Sequence, residues 1–356
     1  MPIPALYGHE GIRNRLAGAI ASGRLPQALL FEGPRGVGKQ RLALWLAQAL
    51  VCEGGRKAGA AGKRKAEPCG ECQHCRLVLN LSHPDVHWFV PVELSKKGAD
   101  ADKQIELVEE ALAEEMAARR ERPLYEPPSG LASHAIASVR LMLRRLALTP
   151  ALARRKVFIL GDAERLVPQT GAETAPNALL KALEEPPADT VFVLTAAEPE
   201  ALLPTILSRV VRVRVARLAD SIVAAFAQRE LGTKGQREAA QLVAAAEGCI
   251  GRLLAGREQG LAGEAAAERF LAAVEGGAVR RYALALAQQP FQARGGFTQM
   301  LDGLLGRLRE QARAGRDTDK VVEAIARVLE ARGAAQGNVN PQLVAAVLAE
   351  DLAERQ

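Results

Sequence analysis

Gly33-Pro-Arg-Gly-Val-Gly-Lys39 has the residue types and spacing of a loop that wraps phosphate. In such a loop the backbone N–H groups face the phosphate oxygens, with Gly33, Gly36 and Gly38 letting the chain come close. The helix that follows adds its positive end, and Lys39 would pair with the outer phosphates. The next position should carry the hydroxyl that holds magnesium. Here it is Gln40, whose carboxamide is longer and poorly placed for a cation.

A second acidic group should close a later strand, one residue for the metal and one for the attacking water. The run there is Phe158-Ile-Leu-Gly161-Asp162-Ala-Glu164. Aligned by its apolar residues, Gly161 takes the metal position and Asp162 the catalytic one. In the other alignment Asp162 is the metal ligand, and Ala163 stands where the catalytic carboxylate belongs. Both alignments predict a loop that does not hydrolyse ATP, while binding of ATP without hydrolysis stays open.

The second chemical cluster is Cys69-Gly-Glu-Cys72-Gln-His-Cys75, two overlapping C-x-x-C pairs, with Cys52 upstream. Four thiolates close a tetrahedral structural zinc site with no open position. Turns such as Pro68-Cys-Gly aim backbone N–H groups at the sulfurs. His74 is a competing ligand in that run. Cys249 stands apart and reads as an ordinary packed residue in a helical turn.

The elements that must hold these groups follow from periodicity. Residues 28–32 read as a buried strand running into the glycine-rich loop, and Arg41 to Val51 as a helix with Leu42, Trp45, Leu46 and Ala49 on one face. Lys156 to Leu160 and Thr190 to Thr195 are further buried strands. Asn177 to Glu185 is a short helix stopped by Pro186-Pro187. Val210 to Val215 alternates Arg with Val like an edge or half-buried strand. Strands alternating with helices predict a doubly wound parallel sheet.

The stretch 93–133 breaks the alternation and reads as an insertion. Within it Lys103 to Arg122 forms one amphipathic helix, with Ile105, Val108, Leu112 and Met116 inward, and a loop from Tyr125 follows. Past Val215 only helical patterns remain: Ile222–Leu231, Gln236–Glu247, Glu264–Glu275, Val279–Gln288, Phe297–Ala314, Lys320–Arg332 and Pro341–Glu354. The expected division is therefore an α/β domain over 1–215, a small helical domain over 216–262 and a helical bundle over 263–356.

The chain has 356 residues, 48% of them hydrophobic and 25% charged, which is an ordinary globular balance. A net charge of +6 permits contact with nucleic acid and equally describes a solvated Arg-rich surface. No apolar run has the length of a membrane span and no secretory leader is legible at Met1 to Gly11, so the expected location is the cytoplasm.

Several runs together resemble the bacterial clamp-loader subunits of DNA polymerase III, which are AAA+ proteins. The most specific is Asn177-Ala-Leu-Leu-Lys-Ala-Leu-Glu-Glu-Pro-Pro187. The phosphate loop, Leu203-Pro-Thr-Ile-Leu-Ser-Arg209, Tyr7-Gly-His-Glu, Gly23 to Phe31, Gly248-Cys-Ile-Gly-Arg252 and Asn338 to Leu343 join it. The resemblance covers nearly all of the chain outside 93–133. It implies an AAA+ P-loop NTPase-type domain carrying a four-Cys zinc module (52–75), then a lid (216–262) and an oligomerising collar (263–356). The gap from Cys52 to Cys69 is longer than the family's.

Within the family, a lost hydroxyl and Gly161 point to the delta-prime type, as does the lack of a long tau-type extension. The resemblance further implies an arginine finger at Arg209, reaching a neighbouring subunit's nucleotide site although its motif reads Ser-Arg-Val. A surface arginine beside Arg212 and Arg214 is the plain alternative. Thr195 matches the polar sensor position and Arg252 the lid arginine. Expected partners are the gamma/tau and delta subunits, with the sliding clamp and primed DNA reached through the complex. Two other readings remain: a gamma/tau-like subunit with its own ATPase, and a zinc-dependent nucleic-acid binder using the basic loop Arg56–Lys65.

Overall fold

The computed structural model describes residues 3–54, 67–93, 100–121, 132–166, 175–233, 236–288, 296–313, 318–336 and 339–353. The basic loop 56–65 and the loop from Tyr125 lie outside them. The chain forms two compact units, Met1–Leu254 and Ala255–Gln356.

The first unit is built on five strands: β1 (Ala28–Glu32), β2 (Val86–Phe89), β3 (Lys156–Leu160), β4 (Thr190–Ala196) and β5 (Val211–Arg214). Their order is β2-β3-β4-β1-β5, and every neighbouring pair is parallel. The period-2 alternation of the central strands deals their side chains to two cores. Leu29, Phe31, Val157, Ile159, Val191 and Val193 pack on one face with helices α1 (Glu10–Ala21) and α2 (Lys39–Val51). Leu30, Phe158, Leu160, Phe192 and Leu194 pack on the other. That face is covered by α4 (Ala101–Glu121), α5 (Ile136–Leu146) and α6 (Ala175–Glu184), with α3 (Gln73–Leu79) lying earlier in the chain. Burial on both faces is why the central strands read as unbroken apolar runs.

The insertion helix α4 buries Ile105, Val108 and Leu112, with Met116 packed against the same core. Arg145 pairs with Glu109 at 2.6 Å and Arg144 with Asp102, fastening α5 to α4. Arg119 lies over the Trp88 ring at 4.5 Å. β5 is an edge strand as expected, but its burial does not alternate: Val211, Arg212 and Arg214 are exposed and Val213 is half-buried, with Arg212 paired to Glu32 at 2.7 Å.

A short helix, α7 (Pro204–Leu207), precedes β5; α8 (Asp220–Glu230) and α9 (Gln236–Ala246) follow it. The next helix departs from expectation. Instead of starting at Glu264, α10 runs from Ile250 to Glu275, so the expected boundary at 262/263 falls inside one helix. Four glycines in this stretch, Gly251, Gly256, Gly260 and Gly263, weakened the pattern, each costing about 1 kcal/mol against Ala in a helix. Gly263 has a packing reason. A Cβ there would lie 2.9 Å from the Gln299 carbonyl, and one at Gly303 would lie 2.6 Å from the Gly263 carbonyl. Two glycines let α10 and α12 (Gly296–Arg313) cross at backbone contact. With α11 (Ala278–Leu286), α13 (Thr318–Gln336) and α14 (Pro341–Ala353), they enclose the second unit's core around Phe270, Leu301, Leu304, Val328 and Leu348. No described helix is long and apolar enough to cross a membrane.

Candidate functional site

The phosphate loop lies between β1 and α2, as its spacing demands. Gly33, Gly36 and Gly38 all have positive φ (152°, 77° and 104°), and at the first two a side chain would strike backbone. A Cβ on Gly33 would be 2.2 Å from the Val215 carbonyl, and one on Gly36 would be 2.9 Å from Gly251 Cα. The start of α10 therefore rests on the loop, where the Gly251 N–H donates to the Gly36 carbonyl at 2.8 Å. The Tyr7-Gly-His-Glu run buttresses the same place. His9 Nε2 bonds the Val37 carbonyl at 2.9 Å, Tyr7 donates to Glu230 at 2.7 Å, and Gly8 fits under Leu218. A cavity of about 360 Å³ opens here, lined by Ile3, Leu6, Val37, Arg41, Phe226 and Leu254 among others.

Lys39 is buried and turned onto its own loop, donating to the carbonyls of Gly33 (2.8 Å) and Pro34 (2.9 Å). Burial lowers its pKa, partly offset by Asp162 and Glu164. Gln40 donates through Nε2 to Asp162 Oδ2 at 3.1 Å, while its Oε1 is buried without a partner. A Cβ on Gly161 would lie 2.9 Å from the Gln40 carboxamide carbon. Thr195, fully buried at the end of β4, accepts the Asp162 N–H at 3.0 Å. The structure thus brings Lys39, Gln40, Gly161, Asp162 and Thr195 together. Arg252 is adjacent through its backbone, but its guanidinium pairs with Glu247, which also holds Arg217 at 3.0 Å.

The sequence reading assigned no role to two residues of this site. Glu164 is buried, accepts the Ala197 N–H at 3.0 Å, and has its pKa raised by burial. His134 is fully buried and donates from Nε2 to the Gly161 carbonyl at 2.7 Å; burial brings its pKa down to about 4. A lone polar residue at the end of the charged insertion was the only available signal for His134.

Arg209 sits between α7 and β5. It donates to the Thr205 carbonyl at 2.8 Å and Ser208 Oγ at 3.1 Å, and pairs with Glu184 of the Leu-Glu-Glu-Pro-Pro run. Its side chain stays 32% exposed. The pairing of Leu29 with Val211 puts Arg209 before the start of β5, whereas the phosphate loop leaves the far end of β1. About six residues of strand separate the two levels, or roughly 20 Å. Arg209 is therefore remote from its own chain's loop.

The four cysteines converge. The sulfurs of Cys52, Cys69, Cys72 and Cys75 all lie within 4.8 Å of one another, two of the pairs at 3.9 Å. A tetrahedron of sulfurs each about 2.3 Å from zinc has edges of about 3.8 Å, so this spacing fits a metal ion. Backbone N–H groups point at sulfur as the turns predict: Cys69 to Cys52 at 3.3 Å, Cys72 to Cys69 at 3.4 Å and Cys75 to Cys72 at 3.5 Å. Gly54 makes room, since a Cβ there would come within 2.8 Å of the Cys69 sulfur. Four cysteines at this spacing could hold a metal ion.

His74 is not among the ligands. Its Nδ1 is 2.8 Å from His83 Nε2, and His83 Nδ1 accepts the Asp85 N–H at 3.0 Å. That donor fixes the tautomers, so His83 donates to His74 and His74 presents Nε2–H to Glu53 at 3.4 Å. Cys249 is packed, as expected, and lies buried in the sheet core.

A model of the family described as DNA polymerase III, delta subunit, matches residues 8–219, more than half of the chain. The chain belongs to this family. It is the clamp-loader family that the sequence motifs resemble, and the match takes in the phosphate loop, the four cysteines and Arg209. Among curated relatives, the DNA polymerase III subunit delta' of Bacillus subtilis is 33% identical over 199 residues, 56% of this chain and 44% of that protein. The delta' subunit of Pseudomonas aeruginosa is 33% identical over 185 residues, 52% and 42% of the two chains. The tau subunit of Salmonella typhimurium is 31% identical over 204 residues, 57% of this chain and 24% of its own. The chain thus spans less than half the length of these relatives. A DNA polymerase III gamma subunit-related protein of Thermotoga maritima aligns over 97% of this chain and 98% of its own, at 17% identity and a TM-score of 0.45.

Proposed function

We propose that this family member is a delta-prime-like subunit of the DNA polymerase III clamp loader, an assembly part whose own site does not hydrolyse ATP. In this reading it gives Arg209 to the nucleotide site of a neighbouring gamma/tau subunit. It assembles with gamma/tau and delta subunits in the cytoplasm, and the complex loads the sliding clamp onto primed DNA. Residues 216–262 serve as the lid and 263–356 as the collar, and zinc closes the four-Cys module.

The observation that carries the reading is the placement of Arg209. A guanidinium is permanently charged and forks onto phosphate oxygens. This one is partly exposed and held by Glu184 and the Thr205 carbonyl, about 20 Å by strand count from the phosphate loop of its own chain. Gln40 bonding Asp162 supports the absence of turnover at the chain's own loop. Two exposed apolar rows, Val279, Tyr282 and Leu286 on α11 with Leu343 and Val347 on α14, support a collar that joins other subunits.

The test is reconstitution with the partner ATPase subunits, clamp and primed DNA. Arg209→Ala is expected to lower DNA-stimulated hydrolysis at the neighbouring site on the order of 10³-fold, as removal of an in-trans finger does. Unchanged turnover sinks the finger. The gamma/tau-like alternative is separated by the isolated chain: ATP turnover abolished by Lys39→Ala would replace the proposal with that ATPase.

A further inference from the structure

Magnesium is the group a phosphate loop ordinarily takes, and the residues here do not fit it. We infer that Gln40 and Gly161 are a matched pair that fills the cation position, the carboxamide standing where the ion would be and the glycine existing to admit it. The inference rests on the proposed function and deepens it, by naming what excludes the metal.

Three observations carry it. First, the Gln40 carboxamide does not reach out to offer its oxygen to an ion. Its Nε2 donates to Asp162 Oδ2 at 3.1 Å, so the carboxylate beside the loop already has a donor. An N–H donor answers a carboxylate oxygen as a cation would, with no metal to recruit.

Second, the Gln40 carboxamide lies directly against Gly161. An added Cβ would be 2.9 Å from the carboxamide carbon, 2.9 Å from Nε2 and 3.0 Å from Oε1, closer than real side chains approach. Any residue there other than glycine requires the Gln40 carboxamide to swing away from its present place. The neighbouring framework is stiff: the Gly161 N–H bonds the Phe89 carbonyl at 2.8 Å, and its carbonyl takes His134 at 2.7 Å. The carboxamide would have to move, and it is itself tied to Asp162.

Third, Gln40 Oε1 is buried without a partner. That oxygen is enclosed by protein, and the bond to Asp162 is the contact that orients the carboxamide. The two departures from a metal-binding loop are therefore one structural event.

A melting cycle tests this, using full-length wild type, Gln40→Ala, Gly161→Ala and the double variant, with Mn²⁺ as the metal probe in the presence of ADP. Gly161→Ala is the mild probe, since Gly161→Asp brings a charge that could stop folding outright. With Gln40 in place, Gly161→Ala is expected to lower the Tm by roughly 3–8 °C, the range for overpacking in a domain of this size. In the Gln40→Ala background the same change is expected to cost less than half as much. Mn²⁺ is expected to leave the wild-type curve where ADP alone puts it. Equal losses in the two backgrounds overturn the matched pair. A Mn²⁺-dependent rise in wild-type Tm that Asp162→Asn removes overturns the exclusion of metal. ATP turnover by the wild type would sink the proposed function whatever the cycle gives. A failed cycle without turnover removes only the plug.

Discussion

The phosphate loop and the cysteine cluster are both built around the place of a cation, and they treat that place in opposite ways. At the cysteines, four sulfurs lie within 4.8 Å of one another, and backbone N–H groups face three of them. Glycine at position 54 keeps the space clear. At the loop, a carboxamide has moved into the space and glycine at position 161 lets it stay. Glycine serves both, once to leave a gap and once to let it be filled. A motif's letters therefore do not tell whether the ion's place is open; the atoms around it do.

The strongest test of the contrast is to remove one sulfur. Cys72→Ser should cut bound zinc from about one per chain to a small fraction by elemental analysis, with a stability loss on the order of several kcal/mol. The same assay on Gln40→Ala should leave the zinc content unchanged. Equal zinc in wild type and Cys72→Ser would show that the cluster is not a metal site and would end the comparison.

The next effect is set by pH, on the loop's side. His134 is neutral in the fold, held near a pKa of about 4 by burial, against 6.5 when free. A lowered folded pKa means that the unfolded chain takes up the proton first. This contribution is therefore whole above pH 6.5 and is lost as the pH falls toward 4. The full span is worth about 3 kcal/mol. Denaturant unfolding at pH 7 and pH 5 should show a larger drop for wild type than for His134→Gln, whose amide can still donate to the Gly161 carbonyl. Identical drops would mean that His134 does not titrate in this window.

A smaller effect belongs to Glu184, which holds Arg209. In the reconstituted complex, Glu184→Gln should lower kcat about 3- to 10-fold and leave the KM for ATP unchanged, because it disturbs the aim of the finger and not substrate binding. The melting temperature of the isolated chain should barely move, since an exposed ion pair contributes about 0–1 kcal/mol. A large fall in stability with no change in kcat would make Glu184 a structural residue only.

The loop, the four cysteines and the central strands were legible because each depends on local spacing or on burial of both sheet faces. What escaped was held by tertiary contact. β2 is a four-residue edge strand whose first three residues are only half-buried, and its Val-His-Trp-Phe run has no period to read. The run of α10 across 262/263 was not legible, because Gly263 weakens a helical pattern and its role is a helix crossing. Helix α5 was readable, with Val139 and Met142 spaced for one face, yet it lay in the shadow of the charged insertion. The Gln40 and Gly161 departures were visible singly. Their fit was not, since residues 121 positions apart declare no contact in a sequence.

Lys39 should matter least, and that makes it the sharpest discriminator of the comparison. In a working loop it would be the residue whose loss is most damaging. Here its ammonium is spent on the carbonyls of Gly33 and Pro34, and burial lowers its pKa. Lys39→Met keeps the length of the stem and removes a buried charge together with its two hydrogen bonds, opposing changes that leave a net cost of about 1 kcal/mol or less. The expected result is a Tm within roughly 3 °C of wild type and clamp-loading turnover of the reconstituted complex within about twofold. A loss of tenfold or more, with stability intact, would mean that the loop still binds a phosphate that matters to the assembly. The filled site would then be a regulatory one, and its contrast with the cysteine cluster would lie in which ligand each admits.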